Sequence, residues 1–430
     1  MTTSRPTAFV MNMYYTGLGI ARSLGERGVP VIGLSSQRGI YGHFTRYAKS
    51  VFCPDSKLQP EALVAFLVRM GQSLGCRGII FPTRDHDLVF LDRYRAELAP
   101  WFTLVIPETT VLEACLDKWQ TYLWAQRSKI DTPKCWRIEG EADLAGILDE
   151  VVYPCVLKPL AAHQWRTGKN WTLVGARKAI PIYSRTELLT EYAAIARADK
   201  RALVQELIAG GDDSIVITAC YHDANARWVA GFNTRKLVQI PEGFGTGCIV
   251  QAASQTELFE PTARLLSNMG FTGIAEVEYK WDAAKGVYRL IEINPRPWDQ
   301  HRLGNACGVD LMYLAYCEHA GLPAPAMKPQ PSDVKWIAED TFVIAALSRV
   351  RRRGAGLRTL FQEAKGRRVF SIWSAADPLP FLAYAILSFA PQLAGMALRV
   401  LWASLVKRVG SGKRPDTVYV SSLEKGGNRG

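Results

Sequence analysis

Along the first hundred residues, short apolar runs alternate with segments whose apolar positions recur every three or four residues. The runs "TAFVMN" (7–12), "VPVIGLS" (29–35), "GIIFP" (78–82) and "FTLVIP" (102–107) read as buried strands. Between them "GLGIARSLGERG", "PEALVAFLVRMGQSLG" and "DHDLVFLDRYRAEL" carry the helical period. That alternation predicts a parallel sheet covered by helices on both faces. Two further helices, "PETTVLEAC" and "DKWQTYLWAQRSK", follow. From about Thr132 the pattern changes: "PCVLKP", "ALVQEL", "SIVITACY", "RWVAGFNTR", "GIAEVEYKW" and "VYRLIEIN" have hairpin-like spacing, which predicts α+β structure with antiparallel pairing. The expected fold class is therefore α/β followed by α+β. No internal repeat is present.

Composition narrows the function classes. Hydrophobic residues make up 48% of the 430-residue chain and charged residues 21%, as in a folded globular protein of two or three domains. Nine scattered cysteines with no Cys-x-x-Cys pair argue against a disulfide framework or a structural zinc site. The start "MTTSRPTAFVMNMYY" has no long apolar core of a signal peptide and reads as a cytoplasmic start. The "TGLG" turn after the first strand holds Gly17 and Gly19, but no third glycine follows and no acid ends the second strand. A tight βα turn that faces a substrate is the better reading than a dinucleotide site.

The chemistry concentrates later in the chain. In "RLIEINPRPWDQ" (289–300), Glu292 and Asn294 lie two apart on a strand and so share a face. The strand before it offers Glu276 and Glu278, and the turn "DAAKG" makes the two strands a hairpin with Glu278 near Glu292. Two carboxylates and an amide oxygen suit Mg²⁺ (or Mn²⁺) whose other sites are filled by phosphates and water, although paired acids on a strand are often only a solvated face. Lys158 stands alone in an apolar strand, where it is costly to bury unless it meets an anion. Lys118 opens a helix, whose N–H groups also attract phosphate. "ALVQELIAGGDD" offers a short backbone edge for a purine and an acid for ribose hydroxyls. No G-x-S-x-G motif and no credible Cys–His pair is present.

In their order and spacing, "LDKWQTYLWAQRSKIDTP", "YPCVLKP", "LVQELIAGGDDS", "RKLVQIPEGFGTG", "GIAEVEYKW" and "LIEINPRPW" resemble the ATP-grasp superfamily, in particular its carboxylate–amine ligase branch. The resemblance covers roughly residues 5–325. It implies a pre-ATP-grasp parallel α/β domain (1–110) and an ATP-grasp domain (111–325) whose two subdomains clamp Mg–ATP. By the same likeness Lys118 and Lys158 contact ATP phosphates, Gln205, Glu206 and Ile208 form the adenine hinge, and Asp213 meets the ribose. Glu278, Glu292 and Asn294 match the magnesium ligands. Arg296 meets the transferred phosphoryl group or the acyl phosphate and, with Lys158, is the catalytic pair. Arg235, Lys236 and Asp299 are expected at the substrate pocket. The implied reaction joins a small-molecule carboxylate to an amine (or thiol) through an acyl phosphate. D-aspartate ligases of cell-wall synthesis fall in this branch and act on lipid-pathway precursors, which makes an envelope substrate an extension of the reading. The competing class is a non-catalytic protein whose membrane association follows nucleotide occupancy. Two departures stand out: the loop "AAHQWRTGKNWTLVG" after Lys158 is aromatic and basic where a glycine-rich lid is usual, and "PWDQH" follows "EINPR" where Trp, Gly and Ser are common.

The C-terminal region changes the picture of the charge. The net charge is +12, and residues 341–430 hold fifteen basic and four acidic residues, +11 of that total. The stretch 378–398 carries no charge over 21 residues. As one helix it would run about 31 Å, close to a bilayer's hydrocarbon thickness of ~30 Å. Pro391 interrupts it, and basic residues flank both ends, which places both flanks on one side of a membrane. An interfacial or re-entrant element, a span and a buried helix pair all remain open. The region 341–430 is expected as a basic, apolar helical appendage that touches an anionic membrane surface from the cytoplasmic side. Nucleic acid is excluded as a partner, because the basic run lacks interleaved aromatic platforms.

Overall fold

The structure, a computed structural model, describes residues 5–161, 165, 168–175, 177–327, 333–351 and 356–391. Its first sheet is all parallel: β1 (Ala8–Met11), β2 (Val31–Ser35), β3 (Lys49–Phe52), β4 (Gly78–Phe81) and β5 (Phe102–Leu104), in the order β3-β2-β1-β4-β5. Strands buried on both faces explain the continuous apolar runs read from the chain. The edge strand β3 alternates with no buried position, and for that reason it had no apolar signature. The order reverses at β1 and β4, so the loops after these two strands open a crevice where ligands bind in sheets of this kind. Gly17 and Gly19 belong to the helix Tyr15–Gly25 that follows β1. A Cβ at Gly17 would come within 1.9 Å of the Asn12 carbonyl oxygen, and one at Gly19 within 2.7 Å of His301. Close packing, not a dinucleotide, accounts for both glycines.

Two further sheets follow, antiparallel except at one edge of the larger. The smaller comprises β6 (Cys135–Ile138), β7 (Cys155–Pro159), β8 (Ile180–Ile182) and β9 (Ala202–Glu206), in the order β6-β9-β7-β8. The larger contains β10 (Ile215–His222), β11 (Trp228–Ile240), β12 (Thr246–Ala253), β13 (Gly273–Asp282), β14 (Val287–Asn294), β15 (Val334–Ile337) and β16 (Arg367–Phe370). Its order is β14-β13-β10-β11-β12-β15-β16. One face packs Tyr221, Phe232, Val250 and Trp336 into a core shared with Val10, Ile20 and Leu24 of the first domain. The other face packs Val277, Tyr279 and Leu290 against Leu265 and Leu266 of the helix Phe259–Asn268. The shared core fixes the crevice of the first sheet beside the β13–β14 hairpin.

The described part of the C-terminal region is not only helical, as the sequence suggested. Strand β16 pairs in parallel with β15, which is antiparallel to β12, so these two strands extend the larger sheet. Asp377 is buried and joins the helix Tyr15–Gly25: it accepts from Arg22 Nε at 2.9 Å, Thr45 Oγ1 at 2.6 Å and the Arg46 amide at 3.1 Å. The apolar run begins as the helix Leu379–Tyr384, which packs Ala383 and Tyr384 on Leu18 and Tyr41, and continues as a π-helical turn Ala385–Phe389; Leu379 and Leu382 of the first and Ile386 and Leu387 of the second are exposed. Residues 392–398 of that run lie outside the described residues, as do residues 162–164, 166 and 167 of the loop after Lys158, whose later part forms the helix Gly168–Leu173. No helix among the described residues is long and apolar enough to cross a membrane.

Candidate active site

The β13–β14 hairpin sets the site. Its register places Glu278 opposite Glu292 and Glu276 opposite Asn294, all on one face of the sheet. A bulge at Ile291 separates this pair from the Tyr279–Leu290 pair behind it. Glu278 and Glu292 each meet a cation. Lys118 Nζ lies 2.9 Å from Glu292, and Lys236 Nζ reaches both oxygens of Glu278 at 2.9 Å. Lys118 is aimed by its helix, Lys118–Arg127, which Asp117 caps by accepting from the Trp119 and Gln120 amides. Asn294 donates its amide nitrogen to Glu276 at 3.0 Å, which leaves its oxygen for another partner.

These pairs set the protonation states. Partial burial raises the Glu292 carboxyl, whose side chain is 32% exposed, but Lys118 and then Lys158 outweigh it and hold the pKa at about 2. Burial, followed by repulsion from Glu278, pushes Glu276 up to about 8, so it is mostly protonated at neutral pH. Lys158 reaches in from the smaller sheet and donates to Gln205 Oε1 at 3.0 Å. Burial lowers its pKa, and Glu292 opposes that shift. Arg296 leaves the strand end and binds Asp85, which opens the helix Asp85–Arg93 after β4, at 2.6 Å. The crevice of the first sheet and the mouth of the hairpin are thus one site.

Other expected residues lie around this centre. Glu206 is held by Arg289 at 2.6 Å and accepts from the Lys134 amide, and Arg289 also meets Asp282 and the Thr132 carbonyl. The Glu206 and Leu207 amides donate to Lys134 and Pro154, whereas the Ile208 amide has no backbone acceptor among the described residues. Asp213 is exposed at the end of this segment, and its neighbour Asp212 binds Gln239 and the Gly243 amide. Asp299 accepts from Thr16 Oγ1 at 2.6 Å.

Arg235 departs from its expected place. It follows the side-chain alternation of β11 and lies in register with Val216 and Gln251, on the face away from Glu278. There it stands beside Tyr288, whose hydroxyl it influences. Lys236 takes the inward position alone, because neighbours on a strand cannot share a face. Sequence reading also left Asp85 without a role: nothing local marks an acid whose partner lies two hundred residues away. Glu276 carried a readable signal, its position two before Glu278.

The site has no ready-made metal cluster: among the described residues no group of three or more His, Cys, Asp or Glu side chains is arranged to hold a metal ion. The donor set still fits a hard cation bound together with phosphates. Glu278, Glu292 and the Asn294 oxygen are the right hard ligands, few in number, and Lys118, Lys158 and Lys236 surround them with the positive charge a polyphosphate needs.

No protein-family model matches the chain. A D-aspartate ligase of Enterococcus faecium is 21% identical over 213 residues, which span 48% of this chain and 50% of that enzyme. The chain thus matches about half the length of this curated relative. Among solved structures, the biotin carboxylase domain of the Hydrogenobacter thermophilus 2-oxoglutarate carboxylase, in complex with MgADP, ADP and bicarbonate, superposes with a TM-score of 0.61. It is 15% identical, over 76% of this chain and 73% of that one. N5-carboxyaminoimidazole ribonucleotide synthetase from Thermus thermophilus gives 0.58, at 14% identity over 76% and 81%. An L-amino acid ligase from Bacillus licheniformis gives 0.55, at 17% identity over 73% and 74%. The chain has the ATP-grasp fold that these structures share.

Proposed function

We propose that the protein is an ATP-dependent ligase that joins a small-molecule carboxylate to an amine through an acyl phosphate. The observation that carries this reading is the cross-strand set Glu278, Glu292 and Asn294 ringed by Lys118, Lys158 and Lys236. A divalent cation held by the first three supplies charge neutralisation when bound. Lys118 and Lys158 bind the phosphates, and the segment Gln205–Ile208 receives the base, with Asp213 near the ribose. Arg296, fixed by Asp85, holds the carboxylate in line with the γ-phosphoryl group. The carboxylate oxygen attacks phosphorus, the bond to the β-phosphate oxygen breaks, and ADP leaves. An amine that has shed a proton then attacks the acyl carbon, the C–N bond forms, and phosphate leaves with the C–O electron pair. Positioned positive charge supplies most of the catalysis, because negative charge is crowded in the first step.

The names of the similar proteins, two of them ligases for amino acids, support this reading over a non-catalytic nucleotide switch. The test is a screen of paired acids and amines for stimulated ADP release. Release that needs both partners is expected, and Glu292→Gln should abolish it without loss of the fold. Full turnover in that variant at ordinary Mg²⁺ would overturn the metal-ligand assignment, and with it the reading.

A further inference from the structure

Glu276 takes no part in the proposed reaction, yet it lies on the face of the site. It stands two residues before Glu278 on β13, so the two side chains point the same way. The register sets it between Ala219 of β10 and Asn294 of β14. It is only 6% exposed. A third carboxyl buried beside Glu278 and Glu292 is costly, both in lost hydration and in repulsion. An apolar side chain opposite Ala219 would avoid both costs. Among the described residues the Glu276 side chain makes one hydrogen bond: it accepts from Asn294 Nδ2 at 3.0 Å.

That single contact decides what Asn294 can offer. An asparagine side chain ends in two atoms of similar size and opposite character. Its oxygen is a hard ligand, whereas its nitrogen would turn two N–H donors towards a cation. Shape does not choose between the two ends, so a hydrogen-bond partner has to. A carboxyl oxygen accepts and therefore takes the nitrogen end. Either protonation state of Glu276 has such an oxygen, so the contact does not depend on its charge. Glu278 and Glu292 are engaged by Lys236 and Lys118 and form the neighbouring cross-strand pair. Glu276 is not a third acidic ligand beside them, because among the described residues no group of three such side chains is arranged to hold a metal ion.

We propose that Glu276 is a positioning residue for the metal site: it holds the Asn294 nitrogen and so turns the Asn294 oxygen towards the divalent cation shared with Glu278 and Glu292. The proposal rests on the metal-ligand part of the ligase reading and not on which acid or amine is joined. It gives the buried carboxyl a function that outweighs its cost. Partners that orient a ligand in this way commonly change metal affinity about 10–100-fold.

The gain in ADP affinity on addition of Mn²⁺, measured by calorimetry on the full chain, reads the metal site without turnover. Glu276→Leu should cut that gain about tenfold and should not weaken binding of ADP in EDTA. Glu276→Gln keeps an acceptor and should retain most of the gain. Glu276→Ala repeats the comparison if the leucine variant misfolds. The decisive arm is Asn294→Asp, whose two end atoms are both oxygen and need no orienting. In that background Glu276→Leu should cost nothing further, whereas a merely structural role would cost the same in both. An equal loss in both backgrounds, or an unchanged gain in Glu276→Leu and Glu276→Ala, would overturn the positioning role alone. A wild type that gains nothing from Mn²⁺ would overturn the metal-ligand assignment, and this proposal with it.

Discussion

Lys158 shows how one side chain carries both structure and chemistry. It sits between Leu157 and Pro159 on a strand whose other positions are almost fully buried, and among the described residues its ammonium donates only to the neutral Gln205 oxygen. Burial works against its charge and Glu292 only partly restores it. A polyphosphate would compensate that charge, so Lys158→Met should lower ATP affinity by at least tenfold, about 1.4 kcal/mol, with the aliphatic volume kept. An unchanged affinity in a direct titration would mark the lysine as structural. This residue was legible because a lone charge in an apolar run has few explanations. Arg235 was misplaced because two adjacent basic residues look alike in a string, and only the register of β11 tells which one faces inward.

At the scale of elements, the β13–β14 hairpin could be read almost residue by residue, since period-two alternation and a short turn define the register. The strands β6, β8 and β12 were missed: they are short or begin among glycines, and their pairing comes from the sheet and not from local pattern. The joint between the helix Tyr15–Gly25 and the helix His301–Ala306 likewise has no local signature. His301 is buried there, and its Nε2 donates to the Thr16 carbonyl at 3.0 Å, a tautomer fixed because a carbonyl only accepts. Burial holds its pKa down at about 4, so the folded protein keeps it neutral where the unfolded chain protonates it near 6.5. Stability should therefore fall as pH drops from about 6.5 to about 4, by about 3 kcal/mol from this group. His301→Gln has no such titration. The stability gap between wild type and variant, measured by urea unfolding at each pH, should narrow over that window. A gap independent of pH would show that His301 is not the titrating group.

For the whole molecule, the C-terminal region is both part of the body and the bearer of its charge. Composition showed the charge but not the anchoring: β16 closes the sheet edge, and Asp377 is the partner of a buried arginine. Arg22 and Asp377 have side chains only 3% and 1% exposed, and breaking such a pair leaves an uncompensated buried charge that costs about 3–5 kcal/mol. A chain ended after Asp340 should therefore unfold or aggregate, whereas one ended after Pro391 keeps β16, Asp377 and the helix Leu379–Tyr384. The second truncation also separates folding from surface binding. Residues 392–430 hold seven basic and two acidic side chains, and the helix before them exposes Leu379, Leu382, Ile386 and Leu387. If this region meets an anionic bilayer, the full chain should sediment with anionic vesicles at low salt. High salt should weaken that binding only in part, since screening acts on the charges and not on buried apolar area. The chain ended after Pro391 should bind such vesicles more weakly while it melts at the wild-type temperature. A full chain that stays in the supernatant at low salt would exclude the membrane surface as partner. Loss of the melting transition in the shorter chain would instead assign residues 392–430 to the core.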